Sequence, residues 1–402
     1  MAPPDVEGNF AIMLGLLDKR TTVLRGRVLA AWNAINTLEF VDKKRIGSVG
    51  FCYGGIPALG LTRFNVDLTA AVTMFGSLTN YPDPRSNATL ITASIQVHHG
   101  DIDKYTKNED VEAFLGEMRA RREITRETAR QMREERGCGT NARGMHQYEE
   151  SVIDYTAHPS LDSSGQILEG LLIHDKNYTS NNKAPAIIIF HTILGKGQYE
   201  DGIGRYLASL GYVVFVADFY GKGQIPPDVD GKFAKMKGLM EDRTTILRGR
   251  ILAAWNIINS LDFVDKQRIG SIGFCYGTVS VLDLTRFNVG LTAAVSFFGE
   301  YSNYPDTQSN TTHIPTSIQI HHGDWDFWSK NHDVDALLRE LRARQTDWWV
   351  LRYAEAERGF TIPGSENTGF SNTRFNPIAA RRSWGATEIF LAEKLKPNRA
   401  NN

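Results

Sequence analysis

The stretch Arg268-Ile269-Gly270-Ser271-Ile272-Gly273-Phe274-Cys275-Tyr276-Gly277 decides the fold. Its first seven residues read as a buried strand, and the residues after Gly277 carry a helical pattern. Gly273 and Gly277 bracket the cysteine, so the segment has the form Gly-x-Cys-x-Gly at a strand-to-helix turn, a nucleophile elbow. The glycines leave room where strand and helix approach closely, and the turn lifts the Cys275 side chain above the C-terminal edge of a sheet. A helix N-terminus favours negative charge on such a sulfur. The plainer reading of the same residues is an inert cysteine beside packing glycines.

Outward from the elbow, short apolar runs alternate with helical patterns. Strands are expected at 186–190, 212–217, 268–274, 291–298, 317–321 and 348–353, with helices at 201–210, 244–261 and 334–344. Uniformly apolar strands separated by helices imply an α/β open sheet, mostly parallel and covered by helices on both faces.

Displacing the sequence by 223 positions aligns residues 5–121 with 228–344 without a gap, and roughly two of every three pairs are identical. Gly50-Phe51-Cys52-Tyr53-Gly54 thus foreshadows Gly273-Phe274-Cys275-Tyr276-Gly277. Nothing before or after the first copy matches 148–227 or 345–396, so the expected organisation is a partial repeat at 1–121, a charged helix and linker at 122–147, and a complete domain at 148–396. The run 117–136 is dense in Arg and Glu of mixed sign, which reads as a solvated helix face, and Gly137-Cys138-Gly139-Thr140-Asn141 reads as the linker. Half of a parallel sheet exposes an apolar face and edge, so residues 5–121 are expected to dock on the complete domain or on a second chain's fragment as a pseudo-dimer.

Composition narrows the function. The chain has 402 residues, 42% hydrophobic and 23% charged, with 45 Lys and Arg against 46 Asp and Glu. That balance argues against a nucleic-acid partner. No apolar run approaches the ~20 residues of a membrane span, and the N-terminus lacks the features of a signal peptide. Three cysteines are too few for a disulfide framework, and the expected location is cytoplasmic. No motif calls for a metal or a cofactor.

A nucleophile elbow needs an acid after a later strand. Ser317-Ile318-Gln319-Ile320-His321-His322-Gly323-Asp324 ends a strand with an aspartate, which makes Asp324 the candidate orienting acid, as Asp101 is in the first copy. Asp326 and Asp103 also repeat and read as helix caps. Trp325, Phe327 and Trp328 follow the acid as a candidate apolar rim.

These residues, with Ile189-Phe190-His191-Thr192-Ile193-Leu194-Gly195, Ala217-Asp218-Phe219-Tyr220-Gly221 and the late segment Phe375-Asn376-Pro377-Ile378-Ala379-Ala380, resemble the dienelactone hydrolase family of α/β hydrolases across residues 148–396. The resemblance implies an α/β-hydrolase fold and a Cys, Asp and His triad that opens esters or lactones. It implies oxyanion donors from the backbone of Tyr276 and of the turn Thr192, Ile193, Leu194.

Two departures stand out. Many relatives carry a glutamate where this chain has Thr192. The family's histidine stretch, Tyr-x-x-Ala-x-His-Gly-Phe, here reads Tyr353-Ala354-Glu355-Ala356-Glu357-Arg358-Gly359-Phe360, so Arg358 occupies the base position. A guanidinium has donors only and carries no protons to or from a substrate. His191, His321 and His322 lie on strand ends as packing or hydrogen-bonding residues, His332 falls in the wrong segment, and His146 matches the family loop poorly.

The expected function is a dienelactone-hydrolase-like enzyme acting on small ester or lactone substrates through Cys275, with catalysis impaired by Arg358. The alternative is a catalytically inactive relative that keeps the pocket for binding or assembly. Cys52, lacking the second oxyanion turn and the base loop, is expected to be non-catalytic.

Overall fold

The structure is a computed structural model that describes residues 6–64, 66–76, 78, 91, 93–99, 106, 108–123, 148–302 and 313–396. Asp101, Asp103, His146 and the linker 137–141 lie outside the described residues. The chain divides into two compact units, Met1–Asn141 and Ala142–Asn402.

The first unit runs α1 (Val6–Asp18), α2 (Arg25–Thr37), β1 (Gly47–Phe51), α3 (Gly55–Arg63), β2 (Ala70–Met74), β3 (Ser94–His98) and α4 (Asn108–Glu123). Its strands form a three-stranded parallel sheet in the order β1-β2-β3. Val49 and Phe51 of β1 and Phe75 just past β2 are 61%, 57% and 56% exposed.

The second unit runs β4 (Tyr148–Tyr155), β5 (Leu168–Asp175), β6 (Ala184–Phe190), α5 (Gln198–Ser209), β7 (Val213–Ala217), α6 (Val229–Glu241), α7 (Arg248–Ser260), β8 (Val264–Phe274), α8 (Gly277–Arg286), β9 (Ala293–Phe297), β10 (Ser317–Gly323), α9 (Asn331–Ala343), β11 (Trp348–Tyr353) and α10 (Pro377–Leu395). Its eight strands lie in the order β11-β10-β9-β8-β6-β7-β5-β4, parallel from β11 to β7 and antiparallel at β5 and β4. The fold is therefore α/β, with a mostly parallel sheet between two hydrophobic layers. The edge pair β4 and β5 is absent from the strands expected from sequence; β4 (YEESVIDY) has half of its residues exposed and no continuous apolar run.

Burial explains the order. β6, β7 and β9 are buried along their whole lengths, as central strands covered on both faces must be. Ile272, Phe274 and Phe298, which match Val49, Phe51 and Phe75 in the repeat, are fully buried in a layer that includes Phe390, Leu391 and Leu395 of α10. That helix begins where Asn376 accepts hydrogen bonds from the Ile378 and Ala379 amides and Pro377 takes the first helical position. Among the described residues, no helix is long and apolar enough to cross a membrane.

Candidate active site

β8 carries the chain to the carboxyl edge of the sheet, and Cys275 turns it with φ 54°, in the left-handed region. Two close approaches make the flanking glycines obligatory. A Cβ on Gly273 would lie 2.5 Å from the Gly277 carbonyl oxygen, and one on Gly277 would lie 2.3 Å from that of Phe190. The Cys275 amide is held by the Phe297 carbonyl at 2.9 Å, so the strained turn is tied to β9. Tyr276 precedes α8 directly, which leaves its amide beside the sulfur at a helix N-terminus. Cys52 has the same backbone setting, φ 52°, but is exposed.

The turn after β6 faces this elbow. Its Thr192 amide donates to Glu200 Oε1 at 3.1 Å and its Leu194 amide to Thr192 Oγ1 at 3.1 Å. Among the described residues, the amides of Ile193 and Tyr276 donate to no protein acceptor, and both residues line the pocket above Cys275. His191 is a structural support beneath the turn: its Nδ1 lies 2.7 Å from the Thr192 carbonyl oxygen and its ring stacks on Phe219.

Arg358 enters from the loop after β11. Its Nη1 donates to Cys275 Sγ at 3.5 Å, its Nη2 to the Gly299 carbonyl at 3.0 Å and to Ser329 Oγ at 2.6 Å, and its Nε reaches Asp326 Oδ1 at 3.2 Å. Burial disfavours its charge, but the interactions with Cys275, Asp326 and Glu300 outweigh that and hold the guanidinium protonated above its ordinary range.

The carboxylate against Arg358 is Asp326, not Asp324 as the sequence spacing suggests. Asp324 extends the strand end, its amide donating to the Tyr353 carbonyl at 2.9 Å, and it borders a separate surface recess with Trp325, Phe327 and Lys330. Two residues on, an Asx turn folds Asp326 inward, where Oδ1 accepts the amides of Trp328 at 2.9 Å and Ser329 at 3.0 Å. Asp326 caps no helix, contrary to expectation: α9 takes Lys330 as its N-cap, and the Asx turn serves instead to aim the carboxylate at Arg358. Burial lifts its carboxyl above the usual aspartate range, opposed by Arg358 and the two amides.

No histidine lines the pocket among the described residues. His321 is buried between Tyr353, Gln319 and Thr387, and burial pushes it down to about 3. His322 is pushed down to about 4 by burial, with the Arg352 and Arg358 charges adding to that and Asp324 opposing it. His332 is exposed beside Asp333.

The pocket measures about 700 Å³ with its open mouth included. Phe233, Met236, Trp328, Ile362 and Phe370 give it apolar walls, and Phe233 meets the rings of Trp328 and Phe370 at 5.5 and 5.2 Å. Of the expected rim, Trp328 joins this wall while Phe327 is 57% exposed.

A further acid, Glu300, lines the same pocket, and its amide donates to the Cys275 carbonyl at 3.3 Å. Burial pushes its carboxyl up; Arg358 and Arg243 oppose that, while Asp333 and Asp326 add to it. Sequence reasoning misses Glu300 because no motif contains it. The available signal is a difference between the copies, Phe298-Gly299-Glu300 against Phe75-Gly76-Ser77.

Comparison with known proteins agrees with this architecture. An uncharacterized protein of Caenorhabditis elegans is 36% identical over 162 residues, 39% of this chain and 98% of that protein. Among solved structures, the dienelactone hydrolase-like promiscuous phosphotriesterase P91 from metagenomic libraries is 26% identical with a TM-score of 0.56, covering 61% of this chain and 98% of P91. A structure named m3DLH is 27% identical with a TM-score of 0.57, covering 62% of this chain and 99% of its own. The model of the dienelactone hydrolase family matches residues 2–126 and 168–395, and on that match the chain belongs to the dienelactone hydrolase family.

Proposed function

We propose that the protein hydrolyses carboxylic esters or lactones through Cys275, with Arg358 in the seat of the base and Asp326 as the acid that orients it. The observation that carries this reading is the 3.5 Å contact from Arg358 Nη1 to Cys275 Sγ, with Asp326 at 3.2 Å on the far side of the same guanidinium.

In this reading the sulfur attacks the carbonyl carbon, and the Ile193 and Tyr276 amides receive the charge that develops on oxygen. The guanidinium steadies negative charge on sulfur and fixes its direction. It has donors only, so it neither protonates the leaving alkoxide nor takes a proton from water, and turnover without another carrier is slower by a factor of about 10² to 10⁴. The apolar walls favour substrates with an apolar or aromatic acyl group. The activity named for P91 adds neutral phosphotriesters to the compounds worth testing.

The donor-only chemistry of Arg358 favours a second reading, a non-catalytic relative that binds carbonyl compounds in the same pocket. Rapid mixing with a chromogenic aryl ester separates the two. The hydrolase reading expects a burst of acylation near one equivalent that vanishes in Cys275→Ala; no burst, and no difference between the two proteins, supports the binding reading.

A further inference from the structure

The chemistry above lacks a proton carrier, and the pocket contains one unclaimed group of the right kind. Glu300 lines the cavity with Cys275, Tyr276, Ile193 and Arg358, and its main chain is fastened to the nucleophile's own carbonyl at 3.3 Å. Among the described residues, no hydrogen bond or ion pair holds its carboxyl group; its neighbours act on it only through charge and burial. Glu300 is partly exposed and lines the nucleophile's pocket, and a carboxyl whose affinity for its proton is raised at such a place calls for a role.

We infer that Glu300 is the general acid and base of this site, doing for Cys275 what the imidazole of a Cys, His and Asp triad does. The inference rests on the cysteine-hydrolase reading and goes beyond it, since it makes the missing histidine a relocation of the proton carrier.

The resting site holds a Cys275 thiolate against Arg358 and a proton on Glu300. The sulfur bonds to the carbonyl carbon, the ester C–O bond breaks, and the departing alkoxide takes the Glu300 proton to leave as alcohol. The Glu300 carboxylate then takes a proton from water while that water's oxygen bonds to the thioester carbon. The C–S bond breaks, the acid product departs, and the thiolate returns to Arg358 with Glu300 protonated again. The charged and titratable groups facing Glu300 are Arg358 from the loop after β11, Asp326 from the segment between β10 and α9, Asp333 from the first turn of α9, Arg243 from the turn before α7, and Cys275 from the elbow. Burial raises the carboxyl, which moves it toward the neutral range where a proton carrier works best.

The test compares wild type, Glu300→Gln and Glu300→Asp on one neutral aryl ester and one ester bearing a quaternary ammonium group, with burst amplitude, turnover and the pH profile of kcat/KM as readouts. The expected result is that Glu300→Gln keeps the acylation burst, loses turnover by about 100-fold on both esters and loses one limb of the pH profile, while Glu300→Asp recovers part of both. Turnover within twofold of wild type and an unchanged profile in Glu300→Gln would overturn the inference. A loss confined to the ammonium ester would also overturn it, making Glu300 a substrate anchor. Absence of a Cys275-dependent burst in wild type would instead overturn the hydrolase reading, and the inference with it.

Discussion

Arg358 presents Nη1 to Cys275 Sγ at 3.5 Å, from a guanidinium whose Nε and Nη2 are taken up by Asp326, Gly299 and Ser329. Four N–H groups of five are thereby occupied, and the side chain is held against the sulfur rather than left to sample the pocket. This is a rigid donor in the place where a triad keeps a proton acceptor.

Replacing that donor with an acceptor is the most direct check on the site. Arg358→His puts an imidazole between Cys275 and Asp326, and steady-state turnover of an aryl ester is expected to rise about tenfold or more. Unchanged turnover in a folded variant would show that the loop does not deliver the ring to the sulfur.

Asp326 and Asp324 should separate sharply in stability. Asp326→Ala leaves the buried Arg358 charge without its carboxylate, and breaking a buried pair from one side costs about 3–5 kcal/mol. Asp324→Ala is expected to cost about 1 kcal/mol or less. Urea titration followed by tryptophan fluorescence measures both, and equal losses would contradict the assignment of Asp326.

Phe274 and Phe51 occupy matching positions in the repeat, one fully buried and one 57% exposed. Phe274→Ala should therefore cost about 3–5 kcal/mol, and Phe51→Ala about 0.5 kcal/mol. Denaturant unfolding of the full chain tests the contrast. A Phe51→Ala loss as large as that of Phe274→Ala would mean that Phe51 is covered in the protein, as the docking expected from the sequence of residues 5–121 requires.

Glu300 makes stability depend on pH with a definite sign. Burial raises its carboxyl in the folded state, so the folded protein keeps that proton to a higher pH than the unfolded chain does. Stability from this group is present below the ordinary glutamate value and lost as pH rises through the folded value. Glu300→Gln should accordingly raise the melting temperature near pH 8 and leave it unchanged near about pH 3, below the ordinary glutamate value, where both states are protonated. Scanning calorimetry at the two pH values checks this, and a lower melting temperature for Glu300→Gln at pH 8 would contradict it.

How legible the site is from sequence varies with how local each feature is. The elbow is readable because its glycines, its strand and its helix all lie within one short segment, and Arg358 is readable because its flanking residues keep the family's spacing. The choice between Asp324 and Asp326 is not readable. Both follow the same strand and differ only in whether the turn points the carboxylate inward. The β4 strand at the edge is hidden for a different reason, since Glu149-Glu150-Ser151 breaks its apolar residues into pieces with neither the continuous run of a central strand nor a regular alternation.

By itself, the sequence determined the α/β architecture, the cysteine at the strand-to-helix turn and the arginine in the histidine's place, because each follows from apolar periodicity, glycine sterics or side-chain chemistry within a few residues. The tertiary structure alone decided that Asp326 meets Arg358 and that Glu300 opens into the pocket beside Cys275. Those relationships join the ends of β8, β9, β10 and β11, and only the parallel order of the strands brings side chains so far apart in the chain to one rim of the sheet.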